Sequence, residues 1–219
     1  MAPCFGSFTG LALWLTPSSP TTSSDLGSLI STLSSKHGTP RFDPHVTLLS
    51  GIPSHSSADL PALLASLRTA LDHWREQQKQ QQPHSAPLRL KFTALGSKAS
   101  ERNYFQYLFA AVSSSNDALL ALRAATREAL LPADARSQKD DYFPHLSLMY
   151  GEDDERKSAG GIMAGLQSEG GEVRLGEGER EGTTTCEVAG HEGIEVKEVQ
   201  LWRCEGPPEE WECLGSEQL

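Results

Sequence analysis

Two histidines stand in matching surroundings 100 residues apart. Phe42-Asp43-Pro44-His45-Val46-Thr47-Leu48-Leu49-Ser50-Gly51 and Tyr142-Phe143-Pro144-His145-Leu146-Ser147-Leu148-Met149-Tyr150-Gly151 share one pattern: aromatic, x, Pro, His, apolar, Thr or Ser, apolar, apolar, x, Gly. An imidazole titrates near neutral pH, so one His can take a proton from water while another gives one to a leaving oxygen. The hydroxyls two residues on can bond phosphate oxygens or steady charge building on phosphorus. Two acid/base groups and two neutral donors suit hydrolysis of a strained cyclic phosphodiester. A lone strand histidine is more often a hydrogen-bonded core residue, and it is the duplicated setting that favours catalysis. No third ligand has matching spacing, so a metal site on these two histidines is not expected.

Each copy reads as a strand. Proline biases the residue before it to extended geometry, and a β-forming run ending at Gly follows. Alternation then puts His45 with Thr47 and His145 with Ser147, opposite Val46, Leu48, Leu146 and Leu148.

The rest of the chain alternates helix and strand. Leu11–Leu15 reads as a buried opening strand, with Leu11, Leu13 and Leu15 on one face and Ala12 and Trp14 on the other. A Ser/Thr/Pro turn over 17–24 precedes a helix capped by Asp25 or a neighbouring Ser and ended by His37-Gly38. A Leu-rich helix over 59–80 decays into a Gln-rich connector holding an exposed His84. Strands are expected from Leu88 and over Tyr104–Val112, joined at Arg102-Asn103. Asn116 or Asp117 caps a third helix whose apolar stripe includes Leu119, Leu120, Leu122 and Leu130. A weak helix over 152–167, short strands at 173–175 and 184–188, an exposed loop at 177–183 and one long strand over 194–204 with one irregularity follow. The acidic end, 209–219, reads as loosely held. Strands and helices mix, and the His strand recurs after a helix in each half, which predicts an α+β fold of two duplicated lobes within one domain, 1–219.

The chain has 219 residues and a net charge of −10, with a pI near 5.2. That field disfavours long nucleic acids but leaves room for a small phosphate-bearing ligand in a locally positive pocket. Arg41 and Lys139, just before the motifs, are read as solvated. So are His37, His55, His73 and His191. Cys4, Cys186, Cys204 and Cys213 have no tight zinc spacing; Cys204 and Cys213 are close enough to pair, yet free thiols in an intracellular protein are the expectation. Phe8 to Leu15 is too short for a membrane span and carries no basic lead, so a soluble, cytoplasmic monomer is expected.

The doubled His-x-Thr/Ser motif resembles the 2H phosphoesterase superfamily, and within it the fungal and plant cyclic phosphodiesterases. Leu13-Trp14-Leu15-Thr16-Pro17, the helix before the first motif and the Tyr142–Tyr150 segment carry the likeness over roughly residues 10–204. The resemblance implies two antiparallel sheets facing across a cleft with helices outside. It implies opening of nucleoside 2′,3′-cyclic phosphates to 2′-phosphates. It also implies hydrolysis of ADP-ribose 1″,2″-cyclic phosphate, a tRNA-splicing by-product, to ADP-ribose 1″-phosphate, with no cofactor. By motif it assigns His45 and His145 as the acid/base pair and Thr47 and Ser147 as phosphate ligands. Tyr150 is a candidate phosphate or water contact, and Trp14 a substrate cover. A Golgi association is compatible with it. The Gln-rich connector and the loop around Arg180 depart from the family pattern, and that loop could gate the cleft. Phe105, Tyr107 or Tyr104 could stack on a base. Rival readings are an RNA-end exonuclease or ligase-like enzyme, and a nucleotide-binding module without turnover.

Overall fold

The computed structural model describes residues 10–53, 59–81, 87–101, 103–168, 171–177 and 184–219. Cys4, His55, His84 and Arg180, named above, lie outside them. Ten strands and five α-helices are described. They are β1 (Leu11–Leu15), α1 (Pro20–His37), β2 (Val46–Ile52), α2 (Leu60–Gln81), β3 (Leu88–Gly96), β4 (Leu108–Val112), α3 (Asp117–Leu130), α4 (Ala133–Ser137), β5 (His145–Met149), α5 (Ala159–Leu166), β6 (Val173–Glu177), β7 (Thr184–Val188), β8 (Gly193–Val196), β9 (Glu198–Arg203) and β10 (Glu212–Gln218).

Eight strands hydrogen-bond in the order β10-β9-β1-β2-β5-β4-β3-β8, and β6-β7 form a separate ribbon. Every pairing is antiparallel. The two motif strands are neighbours at the middle of this order, yet they share one registered pair, Val46 with Leu146. Near the opposite ends of the order, β8 and β9 are joined by Lys197 alone. A link of one residue leaves the two strand ends no more than ~7 Å apart, so the sheet must curl until the end of β8 meets the start of β9. The Ser18 amide closes the gap further by donating to the Glu195 carbonyl at 2.8 Å.

The expected alternation on β1 holds: Leu11, Leu13 and Leu15 enter the main core, while Ala12 and Trp14 join Cys204 in a second cluster. Helix α1 begins earlier than expected. Ser19, not Asp25, is its cap, accepting from the Thr22 amide at 3.4 Å, and Pro20 fills the first turn, where its missing N–H costs nothing. Gly38 ends it at φ 63°, in the left-handed region that favours glycine. Asn116 caps α3 by accepting from the Leu119 amide at 3.0 Å. Leu120 is corrected: it is 41 % exposed rather than part of the buried stripe.

Helix α2 ends at Gln81, within a residue of the expected bound, because Gln and Lys are good helix formers even where no apolar face guides them. The strand over 194–204 divides at its irregularity, Lys197, into β8 and β9. Two further expectations change. Tyr104–Gln106 is a 3₁₀ turn, not strand. The acidic end is not loose: Glu212–Gln218 pairs along β9 as the edge strand.

Candidate active site

Proline delivers each histidine to its strand at a fixed point. His45 immediately precedes β2 and His145 opens β5. The two imidazoles are tied down alike. The Nδ1 of His45 lies 2.7 Å from the Asp43 carbonyl oxygen, and that of His145 lies 2.8 Å from the Phe143 carbonyl oxygen. A carbonyl oxygen only accepts, so Nδ1 carries the proton and Nε2 is left as the titrating nitrogen on both rings. Burial lowers the His45 pKa to about 3, with a lesser contribution from the charge of His145. Burial also lowers that of His145, helped by nearby Lys98. The Lys98 ammonium sits 4.8 Å from the centre of the Phe143 ring. Both rings are therefore held neutral at neutral pH in the free protein.

One cavity of about 240 Å³ collects the two motif histidines, their hydroxyl partners and two of the candidate aromatics: Trp14, His45, Thr47, His145, Ser147 and Tyr150 all line it. Larger hollows of about 680 Å³ beside Trp74 and Leu88, and about 350 Å³ between α1 and α5, lie elsewhere and bring no histidine pair together. Chemistry, rather than size, picks out the smaller one.

Trp14 stacks on His45 with ring centres 3.5 Å apart and planes 3° from parallel. It also stacks on Trp202 at 4.1 Å. Since β1 lies between β9 and β2, Trp14 both walls the cavity and fixes the His45 ring. Ser147 donates to the Phe105 carbonyl at 3.0 Å. Tyr150 stacks on Phe42 at 3.9 Å, and burial raises its pKa well above the usual phenol value. It therefore packs and lines the site at once, and it stays protonated.

Sequence reasoning missed Ser50, Asn103, Gln106, Cys204 and Trp211, which complete the lining. Burial pushes the Cys204 thiol up to about 12, which removes it as a thiolate nucleophile. Phe105 lines the cavity, whereas Tyr107 is fully buried and donates to Asp153 at 2.8 Å. Tyr104 packs against the cluster of Phe42 and Tyr150. Arg41 and Lys139 stay outside the lining; Lys139 pairs with Asp141 on the surface. His73 is exposed as expected, but His191 is partly buried and bonded to Asp25 at 2.9 Å. Among the described residues Cys186, Cys204 and Cys213 are free thiols, no metal-ligating cluster is found, and no helix is long and apolar enough to cross a membrane.

The fold is that of Escherichia coli LigT. Its structure complexed with 3′-AMP superposes with a TM-score of 0.55 at 12 % identity, covering 96 % of this chain and 98 % of LigT. The NADP+ complex of LigT gives 0.51 at 13 % identity, covering 96 % and 97 %. A structure described as a phosphoesterase gives 0.54 at 12 %, covering 96 % and 98 %. No curated protein sequence matches the chain. A family model described as cyclic phosphodiesterase-like protein matches residues 9–219. With that match spanning the cavity and both histidine strands, the chain belongs to the cyclic phosphodiesterase-like protein family.

Proposed function

We propose that the protein hydrolyses cyclic phosphodiesters of small nucleotides by paired-histidine acid/base catalysis. It opens nucleoside 2′,3′-cyclic phosphates to 2′-phosphates, and ADP-ribose 1″,2″-cyclic phosphate to ADP-ribose 1″-phosphate. The observation that carries this reading is the matched tethering of His45 and His145, each through Nδ1 to a carbonyl two residues upstream, on one cavity. The bilobed arrangement belongs to the same reading: β10-β9-β1-β2 and β5-β4-β3-β8 each supply one histidine.

One Nε2 accepts a proton from the attacking water as its oxygen bonds to phosphorus. The P–O bond to the ribose 3′-oxygen breaks, and the other Nε2–H protonates that oxygen. The acid must start protonated, although both rings are neutral in the free site. A phosphodiester anion placed beside them raises both pKa values, so that one ring takes up a proton from solvent as the substrate binds. Thr47 donates to a phosphate oxygen. Ser147 reaches one by giving up its bond to the Phe105 carbonyl. Trp14 covers the ring of His45, and Tyr150, which lines the cavity, contacts the phosphate or the water. Both proton transfers are carried by imidazole, so the reaction calls for no metal.

Phosphorus NMR of products from 2′,3′-cyclic AMP in EDTA tests the proposal. The wild type should give the 2′-phosphate, and His45→Ala and His145→Ala should each fall by ~10²–10⁴-fold. A 3′-phosphate product refutes the regiochemistry. Binding without any product from either cyclic substrate sinks the enzyme reading in favour of a binding module.

A further inference from the structure

The two histidine strands meet where the ladder is thinnest, with Val46 and Leu146 their single registered pair. Something else must fix the spacing of the two imidazoles. The geometry points to Arg123 of α3, with Tyr142, as the positioning residues that lock β2 to the approach to β5. The assignment rests on the phosphodiesterase reading above.

Arg123 is nearly buried, its side chain only 13 % exposed. Its guanidinium reaches both sides of the seam. Nη1 donates to the Leu48 carbonyl on β2. Nε and Nη2 grip the two carboxylate oxygens of Asp140 at 2.8 and 2.7 Å. The same guanidinium lies 4.2 Å from the centre of the Tyr142 ring, close enough for a cation–π contact. Tyr142 then crosses back, its hydroxyl donating to the Thr47 carbonyl at 3.1 Å. Two consecutive carbonyls of β2 are thus held by two side chains that also hold each other. Asp140 and Tyr142 lie five and three residues before His145, so the clamp spans from one motif to the other.

The charges in the clamp keep their state around neutral pH. The hydrogen bond from Arg123 lowers the Asp140 pKa, so the carboxylate stays charged; Arg127 adds a contact at 3.3 Å. Burial raises the Tyr142 pKa, so its hydroxyl stays a donor. A planar guanidinium can fork onto a carboxylate, donate to a carbonyl and lie over a ring together, whereas an ammonium cannot. The clamp holds the backbone of Thr47 and Leu48, and none of Arg123, Asp140 and Tyr142 itself lines the cavity. Its effect on catalysis therefore runs through where the histidines sit, and a small misplacement of catalytic groups is costly.

The test uses Arg123→Lys, Tyr142→Phe and the double variant of the full chain. In folded protein, checked by thermal melting, each single variant should lower kcat on 2′,3′-cyclic AMP by ~10–100-fold with KM within about twofold. The double variant should be no worse than the poorer single, because the residues act as one unit. The imidazole protons of His45 and His145, titrated by NMR, should also show altered pKa values in Tyr142→Phe. Unchanged kcat in the folded variants, or a kcat loss that only tracks the unfolded fraction, overturns the assignment. Should the wild type not turn over, the phosphodiesterase reading fails. The histidine titrations then decide the clamp alone, and identical curves reject it.

Discussion

His45 is buried without charge, and this gives acid a handle on stability. Its pKa is lowered to about 3 in the folded protein, while an unfolded imidazole titrates near 6.5. Between those values the unfolded chain binds the extra proton. The contribution is complete above about pH 6.5 and is lost as the pH falls towards 3. Urea midpoints at pH 7 and pH 4.5 measure it: wild type should lose on the order of 2 kcal/mol more than His45→Asn over that interval. Equal losses would mean that His45 is not held neutral. The sequence showed which residues these were, because His, Pro and hydroxyl side chains repeat in fixed order. It did not show what ties Nδ1, since a backbone carbonyl two residues back carries no side-chain signature. Nor did it show that Ser147 already spends its proton on Phe105.

Most elements were legible because their signals are local. Leu26, Leu29, Ile30 and Leu33 are buried on α1 as their helical spacing predicts, and the alternation of Leu88, Leu90 and Phe92 holds in β3. The cap of α3 is equally local. Asn116 accepts from the Leu119 amide and donates to the Arg89 carbonyl at 2.8 Å. Asn116→Ala removes both bonds, and chemical unfolding should register a loss of ~1–2 kcal/mol; a loss below ~0.3 kcal/mol would show that solvent replaces the cap. Errors fell where tertiary contact overrides propensity. Glu212–Gln218 looks too acidic to be held, yet β9 offers it a full ladder and Arg68 pairs with Glu217 at 2.6 Å. Trp211 was lost to the site in that same misreading. Lys197 interrupts a run of strand formers where the chain passes from pairing with β3 to pairing with β1 and β10; the alternation shows the irregularity but not the change of partners.

At the scale of the molecule, the proposed function predicts that charge sorts substrates by length. A net charge of −10 repels a polyanion more than a mononucleotide, and salt screens the difference. For an oligonucleotide ending in a 2′,3′-cyclic phosphate, kcat/KM relative to 2′,3′-cyclic AMP should therefore rise with ionic strength. A steep fall with salt would instead mark a surface built for RNA ends.

The strand order also sets when the site can exist. β1 is the first described strand along the chain, yet one of its sides is paired with β9, which follows both histidine strands. Cys204 and Trp211, which close the cavity, follow β9. A chain emerging from the ribosome in order carries both histidines long before the wall behind Trp14 is available. Until about residue 211 is free, the nascent protein has an unpaired inner edge and an unfinished pocket. The cavity can therefore close only after both histidine strands have been made and the segment through Trp211 has followed them.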